Sequence, residues 1–158
     1  MKKLIYAVVI TIAATLLFGF IILTPKTVKE SDKAVYNFIK ASVEADHDLR
    51  RSVITKEDQD ILEKGVHLYP GDAKKMGERY MIKRFDHLKG QDKIYYYIEY
   101  YFPNNERDYA MNLLMEKGSD GKWRSSSLTG IDSDEMRAAI SGQEDKGVIV
   151  HKYKERKQ

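Results

Sequence analysis

The chain has 158 residues, 42% of them apolar and 32% charged, which suits one modest folded domain with appendages and excludes a disordered polar tract. It has no cysteine, so disulfides, a thiol nucleophile, a thiolate metal site and a lipid-modified cysteine anchor are all excluded. Net charge is +3, and without Lys2 and Lys3 the balance is 25 basic against 24 acidic residues, leaving the body no global field to recruit nucleic acid.

The first element is "MKKLIYAVVITIAATLLFGFIILTPK", two lysines followed by an unbroken apolar run from Leu4 to Leu23. About twenty such residues span a hydrocarbon core, and the run predicts an N-terminal transmembrane helix acting as a signal anchor over residues 1–24. A cleaved signal peptide is the alternative, with Ala13, Ala14 and Thr15 as small residues near a cut, yet "LLFGFIIL" carries the apolar run past them. Lys2 and Lys3 favour a cytoplasmic N-terminus with the domain outside the cell membrane, although Lys26, Lys29 and Lys33 weaken the asymmetry. Residues 25–30, which include Pro25, read as a linker.

A helix is predicted over roughly Ser31 to Ala45, because Val35, Phe38, Ile39 and Val43 fall on one side of it, with Ser31 as N-cap. "DHDLRRSVI" offers a further turn or two, and "TKEDQDILEKG" opens with a Thr55 to Asp58 capping pattern and stops at Gly65. The period then changes. "ERYMIKRFDHL", "KIYYYIEYYF", "RDYAMNLLMEK" and "KWRSSSLTGI" have strand length and are separated by the turn-like "KGQD", "PNNE" and "GSDG", which predicts an antiparallel meander of about four strands. "DSDEMRAAI" reads as a short helix capped by Asp132 and Glu135. The α+β domain is placed at 31–141, and 142–158 is read as a polar, basic tail containing only a small "VIV".

Alternation in the tyrosine-rich strand sends Ile94, Tyr96, Ile98, Tyr100 and Phe102 to one face and Tyr95, Tyr97, Glu99 and Tyr101 to the other. The first set is the expected core face beneath the Val35/Phe38/Ile39/Val43 helix. The neighbouring strand matches it with Tyr109, Met111, Leu113 and Met115. The second set is the candidate interaction surface, since tyrosine is enriched at interfaces, and the alternative is a second layer of packing supplied by the C-terminal helix.

A first helix "VYNFIKASVEADHD", a second helical stretch and then an antiparallel sheet containing "MEKGSDGKWRSSSL" resemble the nuclear transport factor 2-like, or cystatin-like, superfamily, and most of all its small extracytoplasmic bacterial domains of unknown function. The shared signature is the turn Asp120, Gly121, Lys122 and Trp123 entering a late strand, and the likeness runs from Ser31 to Ile131. It implies a cone-like domain, a bent sheet wrapped around helices with a pocket at the wide end. Members include isomerases, cyclases, dimerising scaffolds and membrane-anchored subunits of conjugative and type IV secretion machines, so the fold implies no single activity. The missing lipid-anchor cysteine and the tail depart from the pattern.

Few residues suggest chemistry. Asp46, His47 and Asp48 join an imidazole to two carboxylates, but they lie at a helix end, where such residues commonly form caps. His67 and His87 lack ligand spacing, and no metal or cofactor is expected. Glu99 beside Tyr97 and Tyr101 imitates the carboxylate and tyrosine of an isomerase, yet alternation turns it away from the core. Trp123 reads as a core aromatic. The terminal Lys152, Lys154, Arg156 and Lys157 could touch anionic surfaces. The expected function is a non-enzymatic, membrane-anchored module that binds a protein partner or itself, with a small-ligand binder or isomerase-like enzyme as the alternative.

Overall fold

The computed structural model describes residues 29–64, 74–86, 92–142 and 144–152. The Leu4–Leu23 segment, most of the linker, His67, His87 and the basic residues after Lys152 lie outside the described residues. In chain order the elements are α1 (Glu30–Glu44), α2 (His47–Ser52), α3 (Lys56–Glu63), β1 (Tyr80–Phe85), β2 (Lys93–Phe102), β3 (Arg107–Lys117), β4 (Trp123–Ser125), α4 (Ser133–Ile140), a 3-10 turn (Glu144–Lys146) and β5 (Val148–Lys152).

The expectation of a sheet of about four strands is corrected, while the expected transmembrane helix over residues 1–24 lies outside the described residues. The sheet has five strands in the order β4-β3-β2-β1-β5, and β5 comes from the segment read as a tail. Among the described residues no helix is long and apolar enough to cross a membrane. All strand pairs are antiparallel, and β2 with β3 forms the longest ladder, from Lys93 opposite Glu116 to Phe102 opposite Arg107.

The inner face follows the predicted alternation except at Tyr109, which is 39% exposed. Val35, Phe38, Ile39 and Val43 on α1 are fully buried against Ile82, Ile94, Tyr96, Ile98, Leu113 and Met115, with Val53, Ile54 and Leu62 closing the edge of the core. Each large side chain so buried contributes about 1.5–3 kcal/mol. Tyr100, Phe102 and Met111 extend the same face in partly buried form. Helix α1 stops where Ala45 turns left-handed at φ 52° and the Asp46 N–H returns to the Ala41 carbonyl at 3.0 Å. Its N-cap is Lys29 rather than Ser31, and the Asp32 carboxylate receives the Lys29 N–H at 2.9 Å. Thr55 caps α3 as predicted, accepting the Asp58 N–H at 3.3 Å. Asp132 caps α4 through the Asp134 N–H at 2.6 Å, without Glu135.

Strand β5 lies on β1 with a register shift that skips Val150, which packs into the main core while Ile149 beside it is exposed. Gly147 permits this approach, because a Cβ there would sit 2.8 Å from the Phe85 ring and run into the Lys83 side chain. At the other flank Ile54 bridges to Ser125 in parallel, the Ser125 N–H bonding the Val53 carbonyl at 2.8 Å and the Thr55 N–H bonding the Ser125 carbonyl at 3.2 Å.

Candidate interaction face and the buried ionic cluster

The outer face of the sheet carries rows of paired residues. Phe85, Tyr95 and Leu114 form one row, Lys83, Tyr97 and Asn112 the next, then Met81, Glu99 and Ala110, and at the end Tyr101 with Asp108. The structure divides the four candidate residues. Tyr95 and Tyr97 pack with Ile131 against a small cluster of Phe85, Met136 and Ile140, so α4 covers that end of the face as the internal-packing alternative required. Glu99 and Tyr101 lie outside that cluster, both half-exposed.

The Glu99–Tyr101 end, half-buried like the other, is polar and ordered by its own contacts. The Tyr97 hydroxyl donates to Glu99 Oε1 at 2.8 Å, which ties the two halves of the face together. Burial first, then this bond and the Glu99 charge, push the Tyr97 phenol above its ordinary pKa and keep it a donor. The Arg79 guanidinium lies 4.8 Å from the Tyr101 ring centre and bonds Asp108 at 2.5 Å, opposite Tyr101 on β3. A phenol and a carboxylate on β2 thus stand beside the guanidinium of Arg79, which directly precedes β1.

The other sequence candidates have structural roles. Asp46, His47 and Asp48 are exposed, and Asp46 caps α2 by accepting the Leu49 N–H at 2.9 Å. No group of three possible ligands that could hold a metal ion occurs among the described residues. Trp123 packs against the main core. Asp120 binds Arg124 through both oxygens, at 2.9 and 2.6 Å, and its carboxyl is held well below the usual range by that hydrogen bond and the Lys122 N–H.

Two buried polar constructions escaped the sequence reading. In the first, Asp32 accepts from Tyr96 Oη at 2.9 Å on one oxygen and from the Lys29 N–H and Arg84 on the other. Arg84 also pairs with Asp86 at 2.7 Å, and Lys29 reaches the same Asp86 oxygen at 2.9 Å. Burial raises the Tyr96 phenol far above its ordinary range, and the Asp32 charge adds to this, so Tyr96 donates permanently. Burial alone would lower the Arg84 pKa, but Asp32 and Asp86 together raise it. Both Asp32 oxygens are engaged, so this buried carboxylate is a structural acceptor and not the free base an isomerase needs. The signal was present: Asp32 precedes Val35 and Ile39 on the buried stripe of α1, and alternation in "YMIKRF" puts Arg84 with Ile82.

In the second, Arg50 is buried with only neutral hydrogen-bond partners: the carbonyls of Phe38, at 3.2 Å, and Leu128, and the Ser42 hydroxyl. Its guanidinium stacks 3.7 Å from the centre of the Phe38 ring. Burial pulls its pKa down to about 10, opposed by Tyr100 and Asp58, so it remains a cation at neutral pH. Three donated bonds join α1, α2 and the loop after β4. No spacing rule marks such a staple beforehand.

No family model matches the chain, and neither the curated proteins nor the solved structures contain a match to it.

Proposed function

We propose that the chain is a non-catalytic interaction module confined to a membrane surface, with its α+β domain outside the cytoplasm and the uncovered end of the outer sheet face as its contact surface. The apolar Leu4–Leu23 segment would supply the confinement, and confinement raises effective concentration so that a modest contact suffices. The observation that carries the reading is the Glu99–Tyr101–Arg79 end of the face, which lies outside the cluster beneath α4 yet presents aromatic and charged groups held by strand pairing. Tyrosine and arginine in such a setting are the residue types that dominate protein contacts. The likeness to membrane-anchored assembly subunits, a resemblance of sequence, agrees with this reading.

The test is affinity purification of the full chain from gently solubilised membranes, comparing the natural protein with a Glu99→Ala, Tyr101→Ala variant. Protease accessibility of the C-terminus on intact cells reports sidedness in the same preparation. Loss of the captured partner with an unchanged melting temperature supports the proposal. Undiminished capture, or a C-terminus protected from external protease, counts against it.

A further inference from the structure

Residues 74–76, ahead of β1, tie the helical layer to the sheet where α1 stops. The Met76 N–H donates to Glu44 Oε1 at 3.0 Å, and Lys75 Nζ donates to Glu44 Oε2 at 3.1 Å. At the other end the Lys74 N–H donates to Asn104 Oδ1 at 3.0 Å and Lys74 Nζ to the Pro103 carbonyl at 3.1 Å. The segment is thus a strap from the last residue of α1 to the turn between β2 and β3. Met76 packs from it against the main core, which Tyr36, Tyr80, Tyr100 and Phe102 also meet in partly buried form. Those rings gather at one end of the inner face: Tyr80 stands opposite Tyr100, Tyr36 lies 5.6 Å from Tyr80, and Phe102 directly precedes Pro103.

Glu44 holds the strap from an adverse position. Its side chain is only 7% exposed, and it closes α1, where the helix dipole disfavours a carboxylate and the last turn carries no basic residue. The groups that favour its charge are the Met76 N–H and Lys75 on the strap and Lys40 on α1. Beyond the strap Gly77 is exposed, with nothing within 4 Å of a Cβ, and the Tyr101 N–H fixes the Arg79 carbonyl at 3.0 Å. A strap that leaves Glu44 can therefore pivot at Gly77 without disturbing β1. We infer that residues 74–76 are an acid-released strap, latched by the ionised Glu44 carboxylate, and that protonation of this carboxylate frees Met76 and uncovers the aromatic end of the inner face. A proton removes the ion pair with Lys75 and turns the charge-assisted bond from Met76 into a weaker neutral one. Burial alone would raise the Glu44 pKa, but the strap's donors and Lys40 leave it below the ordinary 4.5. Released, the carboxyl returns to its ordinary value, so the closed form is fully favoured above that value and loses its advantage as pH falls through the closed-form pKa. The device needs nothing from Glu99 or Tyr101.

The test is native-state amide exchange of the full chain from neutral pH down to about pH 3.5, each rate divided by the intrinsic rate at that pH. The Met76 amide, which bonds the carboxylate itself, should lose roughly tenfold in protection below about pH 4.5, while the β2 and β3 amides keep theirs. Glu44→Gln keeps an acceptor but not the charge, so its Met76 protection should be low and indifferent to pH. Glu44→Ala should lower it further, and the β2 amides report in each variant that the sheet remains folded. Binding of anilinonaphthalene sulfonate, a dye for exposed apolar surface, should rise in step with the loss of Met76 protection in the natural chain and stay level with pH in Glu44→Gln. Met76 protection that falls only together with that of β2, or that falls equally in Glu44→Gln, would overturn the inference. So would a released Met76 amide with no rise in dye binding.

Discussion

Arg84, next to last in β1, binds the carboxylate of Asp32 in the first turn of α1, so one ion pair joins the helix to the sheet inside the core. The side chains are only 10% and 2% exposed, and Tyr96 closes the pair from β2. Taking Arg84 away leaves the Asp32 carboxylate desolvated without its cation, and taking Asp32 away leaves buried Arg84 with Asp86 alone. Asp32→Ala or Arg84→Met should therefore destabilise the fold by about 3–5 kcal/mol. The double variant should cost clearly less than the two losses added, because no orphan charge remains. Urea unfolding of the four proteins measures the coupling.

Arg50→Met keeps the volume that lies on Phe38 but removes the guanidinium donors to the Phe38 and Leu128 carbonyls and to Ser42, while the Phe38 carbonyl keeps the Ser42 hydroxyl at 2.8 Å. Acceptors left unsatisfied in a buried site cost about 1–3 kcal/mol each at most. A loss of about 2–4 kcal/mol is expected. Hydrogen exchange should show the Leu128 loop opening before the sheet.

Burial would raise the Glu44 carboxyl, but its bonds to the Met76 N–H at 3.0 Å and to Lys75 at 3.1 Å, with the charges of Lys75 and Lys40, leave it below the ordinary 4.5. A depressed folded-state pKa adds stability that is fully present above the unfolded value and disappears as pH falls through the folded one. The natural chain should thus lose an increment below about pH 4.5 that Glu44→Gln lacks. Urea midpoints followed down the acid limb would show the two curves converging.

Two glycines should respond differently to alanine. Gly130 has φ +93°, and a Cβ there would lie 2.5 Å from the Asn112 carbonyl, beside the Ile131 to Asn112 bridge. Gly121 has φ +77° with nothing within 4 Å of a Cβ. Gly121→Ala should cost only the left-handed penalty of about 1–2 kcal/mol. Gly130→Ala adds a clash with backbone and should exceed it, as read from thermal melts of the two variants.

The sequence displayed the two-fold alternation of β2 and β3 and the α1 stripe because a one-sided core writes its period into both, from Ile94 to Phe102 and from Val35 to Val43. It concealed β5, where an edge strand needs apolar residues on little more than one side and "VIV" sits among charges. Position 147 was the available clue, a glycine directly before the short apolar run. The tyrosine face was visible as a face but not as two halves, since Met136 and Ile140 reach Tyr95 and Tyr97 only through tertiary packing. The Asp32–Arg84 pair left no local pattern to read, because its two members stand 52 residues apart.

The bridge between Ile54 and Ser125 closes the outer side of β4. With Val53 and Thr55 already bonded to the outer backbone of Ser125, the short strand β4 has both of its sides occupied at that residue. A neighbouring strand arriving at Ser125 would find its backbone groups already taken, so the α2–α3 connection does there what a longer sixth strand would otherwise do.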